Sequence, residues 1–329
     1  MELKKITIDE LLQKAENKDA EAQWRLAKCY QLGIGVEENE KEALKWMRRS
    51  AEQGYAQAQG ELGVYYFKGF GVKKDPEKGI GWIRKAAEQG YANAQNSLAI
   101  CYFSGLGVKE DDEEAVRWLQ KSADQGYPIA QCGLGECYIK GIGVNKDEAE
   151  GIKWLQKSAD QGNHNAQRQL GGCYLDGTGV NKNEEEAIAW FRKAAEQGDD
   201  YSQCQLGRCY LFGIGVKKDE KEAVKWLKIS ADQGFKYAFY GLGLCYEEGW
   251  GVDQDYKEAV KMFREGVEKG CPVSMTELGF CYLSGRGVEV DEMEGMRLLR
   301  KAAELGGESA QYYLKQLSDY WNKTSSSDH

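Results

Sequence analysis

The chain has 329 residues, 42% of them hydrophobic and 29% charged, and a formal net charge of −9. That acidic balance counts against binding to a phosphate backbone, which depends on clustered Lys and Arg. No stretch approaches the ~20 consecutive apolar residues of a membrane helix, so neither a nucleic acid nor a lipid bilayer is an expected partner.

Residues 1–19 read as an N-terminal capping helix, charged and amphipathic, in which Ile8 to Asn17 look like a shortened copy of a helix that recurs later. This segment has no apolar signal core, and a cytoplasmic location is the expectation. From there to residue 306 the chain repeats itself. A Gly-x-Gly-Val tetrapeptide begins at Gly33, Gly69, Gly105, Gly141, Gly177, Gly213, Gly249 and Gly285, eight times at a spacing of 36 residues with no insertion or deletion. A fixed period of this length marks an array in which each unit buries its apolar face only against its neighbours. The predicted fold class is all-α: an α/α superhelical solenoid of eight helix-turn-helix repeats over 20–306, with terminal capping helices.

The second repeat shows the unit. A first helix is predicted near Ala56 to Lys68, with Ala58, Leu62, Tyr65 and Tyr66 at helical spacing. Gly69-Phe70-Gly71-Val72 ends it, because glycine enters positive φ at low steric cost. A second helix opens at Asp75-Pro76, carries Trp82, Ile83, Ala86 and Ala87 inward, and stops at Gly90. Leu26, Tyr30 and Gly54 are matched by the same residue in all eight repeats. The Trp46 column continues as Trp82, Trp118, Trp154, Trp190 and Trp226, then becomes Met262 and Leu298; at this spacing it is core. Seven of the ten cysteines share one column starting at Cys29, with Tyr65 in the remaining repeat. Equivalent positions should lie ~10 Å apart, too far for a disulfide, so these are expected to be small buried thiols.

Second helices open on Asp, or on Asn at Asn39 and Asn183, and Glu follows three residues later in every repeat but the one holding Lys78. This is the pattern of a capping box, in which side chains satisfy the orphan amides of a helix start. A further acidic column, from Glu52 to Glu304, sits in the last turn of each second helix, where the helix dipole disfavours it. Those acids are expected to point at the N-terminal amides of the next first helix, with plain solvation as the alternative. After the eighth repeat, residues 307–321 restart a first helix as a C-terminal cap, and residues 322–329 are expected to be a disordered tail.

The pattern Ala58-Gln59, Leu62-Gly63, Tyr66, Gly69-x-Gly71-Val72, Asp75, Trp82 and Ala86-Ala87 resembles the Sel-one-like repeat family, and the resemblance covers nearly the whole chain. It implies tetratricopeptide-like α/α repeats and an adaptor that assembles protein complexes. A secreted branch of that family carries two helix-bridging cysteines per repeat. This chain has Ala51 and Gln59 where those would fall, so neither the disulfides nor the β-lactamase activity attached to that branch is carried over.

No residues compose an expected catalytic, cofactor-binding or metal site. There are two histidines, His164 and His329, and His164 is expected at the exposed start of a first helix. No Cys-x-x-Cys or His/Cys cluster has zinc spacing, and no Ser-x-x-Lys occurs. The Gly-x-Gly motif follows no strand, as a phosphate loop would.

A partner is sought instead where the repeats disagree. On the first helix the variable columns begin at Glu21, Trp24, Arg25, Lys28 and Leu32, a single stripe opposite Leu26. In tetratricopeptide-like solenoids that helix lines the concave surface. In the C-terminal half the stripe collects Tyr201, Arg208, Phe212, Tyr237, Tyr240, Leu244 and Phe280, residue types that carry much of the energy at protein interfaces. The expected function is therefore that of a non-enzymatic, monomeric scaffold binding a protein or peptide across repeats six to eight. Two alternatives stand beside it: an exported bacterial effector or virulence-associated adaptor, and a weak hydrolase or ligand-binding protein.

Overall fold

The computed structural model describes residues 7–326, with side chains described through residue 318. The described residues form eighteen α-helices and no strand. The first, α1 (Ile8–Glu16), precedes the repeats. First helices are α2 (Ala20–Leu32), α4 (Ala56–Lys68), α6 (Ala92–Ser104), α8 (Pro128–Lys140), α10 (His164–Asp176), α12 (Asp200–Phe212), α14 (Lys236–Glu248) and α16 (Pro272–Ser284). Second helices are α3 (Glu40–Glu52), α5 (Pro76–Glu88), α7 (Asp112–Asp124), α9 (Glu148–Asp160), α11 (Glu184–Glu196), α13 (Glu220–Asp232), α15 (Tyr256–Glu268) and α17 (Glu292–Glu304), and α18 (Glu308–Ser326) closes the series. The all-α solenoid is thus the observed class. It divides into two compact units, the first reaching Ala166 and the second beginning at Gln167.

Within each unit a second helix packs both on its own first helix and on the next one, as α3 does on α2 and α4, and α13 on α12 and α14. The core follows the predicted columns. Leu26, Leu62, Leu98 and Leu134 are fully buried in the first unit, and Leu170 and Leu206 in the second, each contributing ~1.5–3 kcal/mol of apolar burial. Four column tryptophans are buried and Trp82 and Trp226 half-buried. A lysine three residues on lies over several of these rings, 3.9 Å from the centroid for Lys121 on Trp118 and 3.7 Å for Lys157 on Trp154. The column thiols are buried except Cys29, which is half-buried, and burial pushes Cys101 and Cys209 up to about 11 and Cys245 up to about 12.

The two glycines of the tetrapeptide do different things. The first ends the helix in the left-handed region, Gly141 at φ 72°, with its amide donating to the Cys137 carbonyl. The second, Gly143 at φ 64°, lies against the start of the preceding repeat's second helix, where a Cβ would come 2.2 Å from the Asp112 carbonyl oxygen. Only glycine fits there.

Three expectations are corrected. Second-helix starts carry half of the capping box: the Asp111 carboxylate accepts from the Glu114 amide at 2.9 Å. The Asp111 amide, however, donates to the Tyr102 carbonyl at 3.1 Å, leaving nothing for a reciprocal bond. Glu114 bonds Arg117 at 2.6 Å instead; the full box occurs at α1, between Thr7 and Glu10. The acidic column from Glu52 to Glu304 is exposed throughout. The carboxylates of Asp124 and Asp160 accept from Gln120 and Gln156 on their own helices, not from the next first helix. Finally, α18 continues to Ser326, past the expected end at residue 321 and into the expected tail, since no glycine or proline interrupts residues 308–326. Residues 1–6 of the N-terminal cap and 327–329 of the tail, including His329, lie outside the described residues.

Consecutive repeats are tied by neutral amides that the sequence reading passed over. The C-cap Gln161 donates to the Gln131 side chain at 2.7 Å, and Gln131 donates to the Ala123 carbonyl of the preceding second helix at 3.2 Å. The same relay recurs as Gln53–Gln23–Ala15, Gln89–Gln59–Ala51, Gln125–Gln95–Ala87 and Gln233–Gln203–Ala195. An amide suits this buried position because it donates and accepts without bringing a charge out of water.

Candidate functional site

The candidate site lies in the second unit, on the first-helix row α12, α14 and α16. Helical spacing sets Tyr201, Gln205, Arg208 and Phe212 on one face of α12 and Tyr237, Tyr240, Gly241 and Leu244 on one face of α14. The α16 residues Val273 and Glu277 continue the row. These faces bound a groove of about 470 Å³ whose lining includes Tyr201, Arg208, Phe212, Tyr237, Tyr240 and Leu244. Six of the seven expected partner-binding residues are therefore brought together. The seventh, Phe280, is not: its ring meets Tyr313 of α18 edge-on at 5.1 Å, within the apolar cluster of Met275, Leu299 and Ala310. The terminal helix captures that side chain, which sequence spacing alone could not reveal.

The lining also includes residues absent from the sequence reading. Cys204, Gln205, Gly241 and Val273 lie in the same variable columns and could have been taken from them. Phe235, at the N-cap of α14, sits off the stripe, yet its ring packs against Tyr201 at 6.0 Å and Tyr237 at 5.7 Å. Gly241 leaves the floor open where a Cβ would come 2.9 Å from the Leu227 side chain. The wall is apolar and largely solvent-facing, with Phe212 55% exposed and Tyr237 42% exposed.

Charge is distributed unevenly around this groove. Arg208 is exposed and donates to the neutral side-chain amide of Gln205 at 3.0 Å. The Arg168 guanidinium lies 5.8 Å from the Tyr201 ring centroid, and the Lys236 ammonium 5.2 Å from that of Tyr237. A second cleft of about 340 Å³ adjoins the groove, sharing Tyr237, Tyr240 and Val273 with it, and is closed by the α17–α18 turn. Its charged lining residues are Glu277 and Glu308, both acidic. Burial pushes the Glu277 carboxyl up to about 7, the negative charge of Glu247 adds to this, and the Arg286 guanidinium opposes it.

As chemistry the site offers surface for contact. Burial holds the Cys204 thiol up at about 12, far from a thiolate at neutral pH. Among the described residues no group of three or more His, Cys, Asp or Glu side chains could hold a metal ion. None of the described helices is long and apolar enough to cross a membrane. His164 opens α10 and is exposed.

The chain's sequence finds no match among curated proteins. In solved structures it is similar to a protective antigen present in uropathogenic Escherichia coli strains that displays an SLR fold, with 35% identity over 95% of this chain and 67% of that one, and a TM-score of 0.82. It is also similar to a Sel1 repeat protein from Oxalobacter formigenes, with 33% identity over 94% of this chain and 90% of that one, and a TM-score of 0.66. The Sel1 repeat profile matches residues 20–55, 56–91, 92–127, 128–163, 164–199, 200–235, 237–271 and 272–307. With eight consecutive repeats over most of its length, this chain belongs to the Sel1 repeat family.

Proposed function

We propose that this chain is a non-enzymatic scaffold that binds a partner protein through the first-helix face of repeats six to eight. One observation carries the reading: six side chains chosen for their variability and residue type converge on a single apolar groove of about 470 Å³. The Sel1 solenoid supports it, since stacked helix pairs offer long surfaces suited to holding other molecules. The cytoplasm is the proposed location, checked by fractionating cells that express the chain at native level. Similarity to a protective antigen favours the second reading, an exported adaptor, and recovery of the intact chain outside the cell would decide for it.

The test is affinity for a partner captured by the full chain and then purified. Tyr237→Ala and Arg208→Ala should each weaken binding ~10-fold or more, as central aromatic and Arg positions do at interfaces. Unchanged affinity in variants with native circular dichroism and melting temperature would move the binding face elsewhere.

A further inference from the structure

The repeats contain their own control for the chemistry of the partner. Glu61 and Glu277 occupy the same repeat position, six repeats apart. Glu61 is fully engaged: Lys28 of the preceding repeat pairs with it at 2.9 Å, and the Trp24 indole donates to it at 3.1 Å. The equivalents of Lys28 and Trp24 before Glu277 are Leu244 and Tyr240. The cation has been replaced by an apolar wall of the groove. Among the described residues the cation that acts on Glu277 is Arg286, which is itself ion-paired with the buried carboxylate of Glu247. Among the described residues no hydrogen-bond donor reaches the Glu277 carboxylate, which lines the cleft beside Glu308, Tyr237 and Tyr240.

We propose that the groove takes a segment of a partner protein presenting an apolar side chain against Tyr201, Phe212 and Tyr237, followed by a lysine or arginine that pairs with Glu277. The partner's cation then stands where Lys28 stands in the first repeat. The complementarity is local as well as global. The charged lining of the receiving cleft is acidic, and the whole chain carries a net charge of −9. This inference rests on the groove reading above and adds the charge of the occupant.

A random-peptide display library is the probe, selected in parallel on the full chain and on its Leu244→Lys, Glu277→Lys and Tyr237→Ala variants, each verified by circular dichroism and melting temperature. The unaltered chain should enrich peptides with Lys or Arg at a constant spacing from an aromatic or aliphatic residue. Leu244→Lys supplies the missing cation internally, as Lys28 does for Glu61, and should abolish the basic preference. Glu277→Lys should replace it with Asp or Glu, and synthetic peptides from the first selection should bind this variant at least ~10-fold more weakly. A basic preference that persists on both lysine variants overturns the Glu277 assignment while leaving the groove standing. Enrichment that is the same on Tyr237→Ala as on the unaltered chain overturns the groove itself.

Discussion

Glu277 illustrates how a repeat position changes meaning when one neighbour changes. In the second repeat the same carboxylate is neutralised by Lys28; in the eighth it faces Glu247 and Tyr240 from α14, Arg286 from the turn after α16, and Glu308 from α18. Its pKa in the fold is about 7, above the ordinary 4.5, so the folded chain holds this proton more tightly than the unfolded one. The stabilisation linked to that proton is complete below about 4.5 and is lost as pH rises through about 7. Glu277→Gln should therefore melt higher than the unaltered chain at pH 8, by on the order of 2 kcal/mol after allowance for partial exposure. At pH 4 the difference should vanish. Paired melting curves across pH check this, and a gain independent of pH would show that packing, not ionisation, is responsible. A bound cation lowers the same pKa, so peptides carrying the proposed basic residue should bind more tightly at pH 8 than at pH 6.

At the scale of elements, the stacking rests on two devices of opposite legibility. The Gly-x-Gly-Val turn stands out in the sequence because only glycine serves both of its special positions. Gly143→Ala adds a Cβ 2.2 Å from the Asp112 carbonyl oxygen at positive φ; it should destabilise by ~3 kcal/mol or more in chemical denaturation. Gly81 in α5 meets nothing within 4 Å, and Gly81→Ala should stabilise by ~0.5–1 kcal/mol through helix propensity. The glutamine relay recurs with equal regularity, yet its role was not legible. A Gln column fits a solvated face as well as a buried bridge, and the two members of each pair lie 30 residues apart. Gln131→Ala should cost ~1–3 kcal/mol, because two hydrogen bonds between helices are lost at once, although the Ala123 carbonyl keeps the Gly126 amide and the Gln161 side chain keeps the Lys157 carbonyl. If denaturation shows no loss, the relay is incidental to stacking. The relay gives way in repeats seven and eight, where Phe239 and Met275 replace its first-helix glutamines and Lys269 and Leu305 its C-cap ones. Those repeats are the ones that build the cleft.

Over the whole molecule the cysteines report burial in both units. Cys101 and Cys137 in the first unit are held up at about 11 and Cys204 and Cys245 in the second at about 12, each chiefly by burial. A thiol raised by two units carries ~100-fold less thiolate at neutral pH. Disulfide-exchange labelling of the native chain should therefore be slow, with the half-buried Cys29 modified first, and should become rapid on adding denaturant. Fast labelling of Cys204 in native protein would mean that the groove floor opens.

The sequence alone determined the all-α repeat class, the limits of the repeat helices to within a residue or so, the buried Leu and Trp columns and the stripe on which six groove residues lie. These follow from local rules: a period of 36, helical spacing, and the few residues that tolerate a turn or a cap. Tertiary structure alone decided that α18 draws Phe280 out of the groove, that the glutamines rather than the last-turn acids join consecutive repeats, and that Glu277 stands without the lysine that neutralises Glu61. Each of these depends on which side chain from another helix arrives within a few ångströms, and that distance is set by packing between elements rather than by any pattern within one.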